Sequence, residues 1–416
     1  MTISHQRKWG LVTSLLFLSY GYSQNVPSLL NDSNINATFS IVAFDQQAQE
    51  WGIAVATNNI YVGNSTIYIT PGVGAFSVIA ETAPKYGHAG LANLKEGKSI
   101  TEAIEAVKAE DEDAHYRQVA GIDAQGEVAA FTGKALSYWP GYASHFLGQG
   151  YVVLGNQLAE EVLSNMAKTF ENTAGTLAER LMSSLVAGQQ AGGQISGKQS
   201  AALVVKGSEN EWFNQIDLRV DHSKTPIADL QRLLNYHYGR IRLNQAYYAY
   251  EAGNTKRATN KLAEAEALLQ GWTGMYAKIA QVHLQMSNEA AAVTWIKKGL
   301  TENKQWIVYL PAFYVLRHHP EIKTLIKSDT YNVKDWESAI SMLGNLGQHQ
   351  EAIDLGNTIL QRQQSSSYLH FLLAKSHVAL GAPATAIKHL QKALKIDAAN
   401  REAELLLNSI SATSQE

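Results

Sequence analysis

The chain has 416 residues, 45% hydrophobic and 17% charged, enough for two or more domains with sizeable cores and unlike a disordered or fibrous sequence. A formal net charge of -3 with no long basic block argues against a nucleic-acid partner held through phosphate contacts, leaving small molecules or other proteins. There is no cysteine, hence no disulfide and no cysteine-borne lipid.

Residues 1–23 carry Arg7 and Lys8, a largely apolar run from Trp9 to Tyr20, then Gly21-Tyr-Ser23, the pattern of a cleaved signal peptide. The expected product starts at Gln24 and is exported, periplasmic or secreted. The apolar run is about half the roughly 20 residues that span a bilayer, which argues against a stable membrane anchor. Residues 24–37, rich in Asn and Ser, read as a linker or propeptide.

From Thr38 to about Asp221 the pattern is mixed. Strand runs are expected at 38–44, 51–57, 73–80, 117–123, 127–132, 201–206 and 216–220, and helical patterns near 99–110, 157–171 and 176–190. Paired strands with helices between the pairs predict an α+β domain of two antiparallel sheets covered by helices, over 38–225.

After Pro226 the strand signal ends and Ala, Leu, Gln, Lys and Tyr recur at helical spacing, so 226–416 reads as an all-α domain. Ala258 and Ala292 are 34 residues apart, as are Ala352 and Ala386; Gly253 and Ser287, and Gly347 and Gly381, keep the same interval. That period, with a small residue where two helices must approach closely, is the tetratricopeptide (TPR) signature. The stretch from Gln305 to Asn332 breaks it. Such arrays bind protein or peptide partners in a groove.

Thr38 stands at the head of the first hairpin, Thr38-Phe-Ser-Ile-Val-Ala-Phe44 and Trp51-Gly-Ile-Ala-Val-Ala56. If the preceding peptide bond is cut, its α-amine can serve as general base for its own hydroxyl. Asn58, closing the second strand, and Asn156, after the apolar run Tyr151-Val-Val-Leu154, are candidates to hold an oxyanion beside backbone amides. Ser200 heads a strand after a glycine-rich loop. Asp217, Arg219 and Asp221 share one strand face and suit the grip of a zwitterion; with Ser200 they are the candidate substrate-binding residues. His318 and His319 diverge on a helix and no His-Glu-x-x-His pattern occurs, so neither metal nor cofactor is expected.

Several separated motifs carry a resemblance over about Thr38 to His237: Thr38-Phe-Ser-Ile-Val-Ala43, Gly52-Ile-Ala-Val-Ala56, Gly72-Val-Gly-Ala75, Ala130-Phe-Thr-Gly133, Gly155-Asn156, Ala191-Gly-Gly193 with Gly197-Lys-Gln-Ser-Ala-Ala202, and Ile216-Asp-Leu-Arg-Val-Asp221. In these it resembles the bacterial Ntn-hydrolase-like family of unknown function 1028. The resemblance implies a four-layer αββα sandwich, with Thr38 at the position of the superfamily's nucleophile, but it supplies no substrate. The expected protein is an exported Ntn-hydrolase-like amide hydrolase, acting on a small amide or peptide, with a TPR partner-binding domain. The alternative is a non-catalytic envelope scaffold that acts through its repeats.

Overall fold

In a computed structural model, residues 37–208, 215–362 and 365–413 are described; the signal peptide expected over 1–23, and all of the linker or propeptide except Ala37, lie outside them. The chain divides into two compact units between Leu230 and Gln231.

The first unit is built on two antiparallel sheets. Ten strands are described: β1 (Thr38–Asp45), β2 (Glu50–Thr57), β3 (Ile67–Thr70), β4 (Gly74–Ala80), β5 (Arg117–Asp123), β6 (Val128–Thr132), β7 (Tyr142–Gly148), β8 (Tyr151–Leu158), β9 (Ser200–Gly207) and β10 (Ile216–Val220). Their order is β10-β9-β2-β1-β8-β7 in one sheet and β3-β4-β5-β6 in the other. The sheets face each other across Val42, Phe44, Trp51, Ile53, Ala75, Ile79, Ala120, Ile122, Val152 and Leu154. Trp51 Nε1 donates across that gap to the Asp123 carbonyl at 3.0 Å, so the buried indole is both packed and satisfied.

Alternate residues of β1 and β2 point the other way, because side chains alternate along a strand. There they meet α3 (Val162–Asn172) and α4 (Leu177–Gln190): a Cβ on Gly52 would come within 2.4 Å of Leu181, and one on Gly188 within 2.7 Å of Met166. The second sheet buries its outer face under α1 (Lys85–Lys95) and α2 (Ile100–Ala109), through Phe76, Val78, Tyr86, Ile104 and Val119. Unit 1 therefore runs helix pair, sheet, sheet, helix pair.

Three elements carried no clear sequence signal: the four-residue β3, the edge strand β7, and α1. The helix expected near 157–171 begins only at Val162, because Gln157 and Leu158 stay in β8, where Leu158 bridges to Gln194. Asn156 consequently lies inside a strand.

The second unit is a helical repeat. After α5 (Pro226–Glu251) come α6 (Thr255–Leu268), α7 (Thr273–Gln285), α8 (Glu289–Glu302), α9 (Val333–Asn345), α10 (His349–Gln361), α11 (Ser367–Ala379), α12 (Pro383–Ile396) and α13 (Arg401–Thr413). The recurring turn position has the same left-handed backbone each time: φ is 74° at Gly253, 59° at Ser287, 74° at Gly347 and 70° at Gly381. The recurring alanines Ala258, Ala292, Ala352 and Ala386 are fully buried. Between α8 and α9 the period fails. Residues 304–316 wind as a 3-10 segment, with Pro311 inside it and Phe313 off helical geometry.

No helix among the described residues is long and apolar enough to cross a membrane.

Candidate functional site

At one end of the gap between the sheets the apolar lining stops. Ser40 Oγ meets Ser77 Oγ from the opposite sheet at 2.8 Å, and the next inward-facing position on β1 is Thr38. Thr38 pairs in register with Thr57 on β2 and Asn156 on β8, and Thr57 pairs with Ser200 on β9. Directly opposed residues of an antiparallel pair share a face. Asn156, Thr38, Thr57 and Ser200 thus form one buried polar row across four strands.

The peptide bond preceding Thr38 has an unusual environment. The Ala37 carbonyl oxygen accepts from Thr57 Oγ1 at 2.7 Å, from the Asn58 backbone N–H at 3.0 Å, and from Gln194 Nε2. The Thr57 hydroxyl has one proton and places it on that carbonyl, so at 2.9 Å from Thr38 Oγ1 it must accept from Thr38. Three donors on one buried carbonyl stabilise negative charge on its oxygen, and the Thr38 hydroxyl is linked to one of those donors.

Asn156 has an orientation its neighbours impose. Gln118 Nε2 donates to the backbone carbonyls of Ser144 and Gly155, both at 2.9 Å, which can only accept. Gln118 must therefore present Oε1 to Asn156, whose Nδ2 donates to it at 3.2 Å. This leaves Asn156 Oδ1, fully buried, without a hydrogen-bond partner among the described residues. As oriented, Asn156 offers its surroundings an unused acceptor at Oδ1 beside the second proton of Nδ2.

Backbone strain flanks the row. Gln157 has φ 52° and Ala80, ending β4 on the facing sheet, has φ 65°, a region that costs a side-chain-bearing residue about 1–3 kcal/mol. Gly155 allows β8 to approach: a Cβ there would lie 2.9 Å from the Thr38 carbonyl oxygen and 2.6 Å from Leu158. Beside Thr38 lies a cavity of about 90 Å³ between β1, β2, the loop after β2 and the end of β4; Glu81 is part of its wall.

The residues expected from sequence divide into two sets. Thr38, Asn58, Asn156 and Ser200 come together, although Asn58 reaches the Ala37 carbonyl by its backbone N–H, and the Ser200 hydroxyl donates to the Asn59 carbonyl at 2.7 Å, tying down the loop that carries Asn58. Asp217, Arg219 and Asp221 stand at the outer edge of the sheet. Asp217 and Arg219 are bound to each other at 2.8 Å, both more than two-fifths exposed. Sequence gives no role to Thr57, Gln194, Gln118 or Glu81; the last three reach the site from segments distant in sequence from Thr38. No group of three or more His, Cys, Asp or Glu among the described residues is arranged to hold a metal.

Residues 38–230 match the model of a family of unknown function, DUF1028. Among solved structures, the crystal structure of protein SPO2555 from Silicibacter pomeroyi, a protein of that family model, is similar at 29% identity and a TM-score of 0.44, over 48% of this chain and 84% of that one. The crystal structure of the P58(IPK) TPR domain is similar at 14% identity and a TM-score of 0.21, over 42% of this chain and 56% of that one. No curated protein matches the chain.

Proposed function

We propose that the first unit is an Ntn-hydrolase-like sandwich that cuts its own chain before Thr38 and then hydrolyses amide bonds with Thr38 as N-terminal nucleophile. The observation that carries this reading is the three-donor environment of the Ala37 carbonyl, with Thr38 Oγ1 linked to one of the donors.

In the first step Thr38 Oγ attacks the Ala37 carbonyl carbon. Its proton passes to the departing Thr38 nitrogen as the C–N bond breaks, while the Thr57 hydroxyl keeps its own proton on the oxyanion. Water hydrolyses the resulting ester and leaves a free Thr38 amine. Thr57 Oγ1, the Asn58 N–H and Gln194 Nε2 hold the oxyanion; one such donor contributes about 2.7–4 kcal/mol.

In turnover the Thr38 amine takes the hydroxyl proton, Oγ attacks the substrate carbonyl, and the oxyanion occupies the position vacated by the Ala37 oxygen. The ammonium then protonates the leaving amine, and water releases the acyl group by the same route. Asn156 Oδ1, an acceptor opposite Thr38, holds the amine in place. Ser200 positions the loop that carries the Asn58 N–H. We read Asp217, Arg219 and Asp221 as a solvated edge with no part in the chemistry.

The chain is read as exported, because its leader pattern and lack of cysteine agree. The helical repeats are read as a surface for a protein or peptide partner, since stacked helical hairpins present a continuous groove. Intact mass and N-terminal sequencing of the protein from an exporting host test the central claim. A terminus at Thr38 in the wild type, absent in Thr38→Ala, supports it; a terminus at Gln24 in both removes the α-amine and sinks it.

A further inference from the structure

Resting on the hydrolase reading, we infer that Glu81 selects the substrate: the site takes amides of small α-amino acids that carry a free ammonium group. The cavity beside Thr38 is walled by hydroxyls, those of Thr57, Ser65, Thr66 and Thr82 among them, and Glu81 is its one acidic or basic side chain among the described residues. A carboxylate in a confined polar site favours a cation and disfavours an anion, and a hydrogen bond to a charged group is about twice as strong as a neutral one.

Glu81 is held where it can act. Its backbone N–H donates to the Tyr116 carbonyl at 3.3 Å, and its carbonyl accepts from Arg117 at 3.0 Å. The residue before it, Ala80, sits in the left-handed region with φ 65°, so the chain turns at this point against the local preference. Arg117 heads β5 of the second sheet and Tyr116 immediately precedes it, whereas Thr38 belongs to the first sheet. Glu81 and Thr38 therefore border one cavity from the two different sheets.

Size narrows the class further. With Ala37 still in place the cavity is about 90 Å³, well below the roughly 300–1,000 Å³ of pockets that enclose drug-sized ligands. It fits an acyl group of glycine, alanine or serine size with its ammonium toward Glu81, while the leaving amine extends outward. A long acyl chain or an acidic one does not fit this description.

The test uses the full-length protein after maturation, with alanine p-nitroanilide and its N-acetyl and N-succinyl derivatives, in wild type, Glu81→Gln, Glu81→Lys and Thr38→Ala. The expected result is a wild-type kcat/KM for the free amine at least about 30-fold above that for the N-acetyl compound. That ratio should fall toward one in Glu81→Gln, and Glu81→Lys should turn the preference toward the N-succinyl compound. Ratios within one variant cancel a loss of folded protein. Equal rates on free and acetylated amines in the wild type, or a preference retained in Glu81→Gln, overturn the inference while turnover lost in Thr38→Ala leaves the hydrolase reading standing. Turnover of none of the three compounds by the wild type, or full turnover by Thr38→Ala, overturns both.

Discussion

Thr57 Oγ1 stands 2.9 Å from Thr38 Oγ1 and 2.7 Å from the carbonyl oxygen of the residue before Thr38, so one hydroxyl touches both the Thr38 side chain and the carbonyl of the peptide bond that precedes it. Thr57→Val keeps the shape and removes that link. Self-cleavage in this variant should slow by about 100- to 1,000-fold, the range for loss of one oxyanion donor. Thr38→Ser should still cleave. A mass-spectrometric time course after refolding of the uncut chain measures both, and an unchanged rate in Thr57→Val would remove Thr57 from the mechanism.

Asn156 pairs in register with Thr38, and its Oδ1 is a buried acceptor whose orientation Gln118 fixes. An acceptor for the α-ammonium favours its charged form and raises its pKa. Asn156→Leu should therefore lower kcat by about 10- to 100-fold, in the range usual for a misplaced general base, and move the acid limb of the kcat/KM profile to lower pH. A fall in rate with the limb unmoved would mark Asn156 as a packing residue only.

How much of this was readable in the chain depends on range. The hairpin at Thr38 is local: β-branched and aromatic residues alternate, and Asp45 Oδ1 accepts from the N–H groups of Gln47 and Ala48 to close the turn. The repeat is also local, since its small residues and left-handed turns recur at one interval. Helix α1 was hidden because Gly87 and Gly90 argue against a helix. They are needed for packing: a Cβ on Gly87 would come within 2.1 Å of the Tyr68 ring, and one on Gly90 within 2.7 Å of Phe76. Gln118, Gln194 and Glu81 were hidden for another reason. Each reaches the site from a strand or loop far away in sequence, and no local pattern marks a side chain whose partner is 157 residues distant, as Ala37 is for Gln194.

Ser40 and Ser77 share a hydrogen bond across the two sheets and are both fully buried. Either single change to alanine leaves a buried hydroxyl without its partner and should cost about 1–3 kcal/mol. The double change removes both polar groups and should cost less than the two singles added. Denaturant melts of the four proteins give the coupling; strict additivity would deny the bond any energetic weight.

Ser287 is the one member of its repeat series that is not glycine, yet it takes φ 59° where Gly253, Gly347 and Gly381 take 70–74°. A side chain in this region costs about 1–2 kcal/mol relative to glycine. Ser287→Gly should stabilise the helical unit by about 1 kcal/mol, partly offset by the greater freedom of an unfolded glycine. A thermal melt followed by helical circular dichroism reads this directly, and a lower Tm would show that Ser287 contributes a contact worth more than the strain.

His389 on α12 packs against two histidines of α11: its Nδ1 lies 3.0 Å from His370 Nδ1, and its ring stacks on that of His377 with centroids 5.4 Å apart. Burial first, and then the positive charge that His370, His377 and Lys392 can carry, together push its pKa down to about 4. Burial also lowers His370 and His377. Above the ordinary histidine pKa of about 6.5, the folded and unfolded chains are both neutral at these sites and stability is at its full value. Between about 6.5 and about 4 the unfolded chain binds protons that the folded one refuses, so stability falls with pH across this window, and below about 4 the loss is complete. The Tm of the helical unit should drop from pH 7.5 to pH 5, and His389→Gln, which keeps a polar group beside His370 but does not titrate, should flatten the drop. Parallel pH profiles for wild type and His389→Gln would place the acid sensitivity elsewhere in the unit.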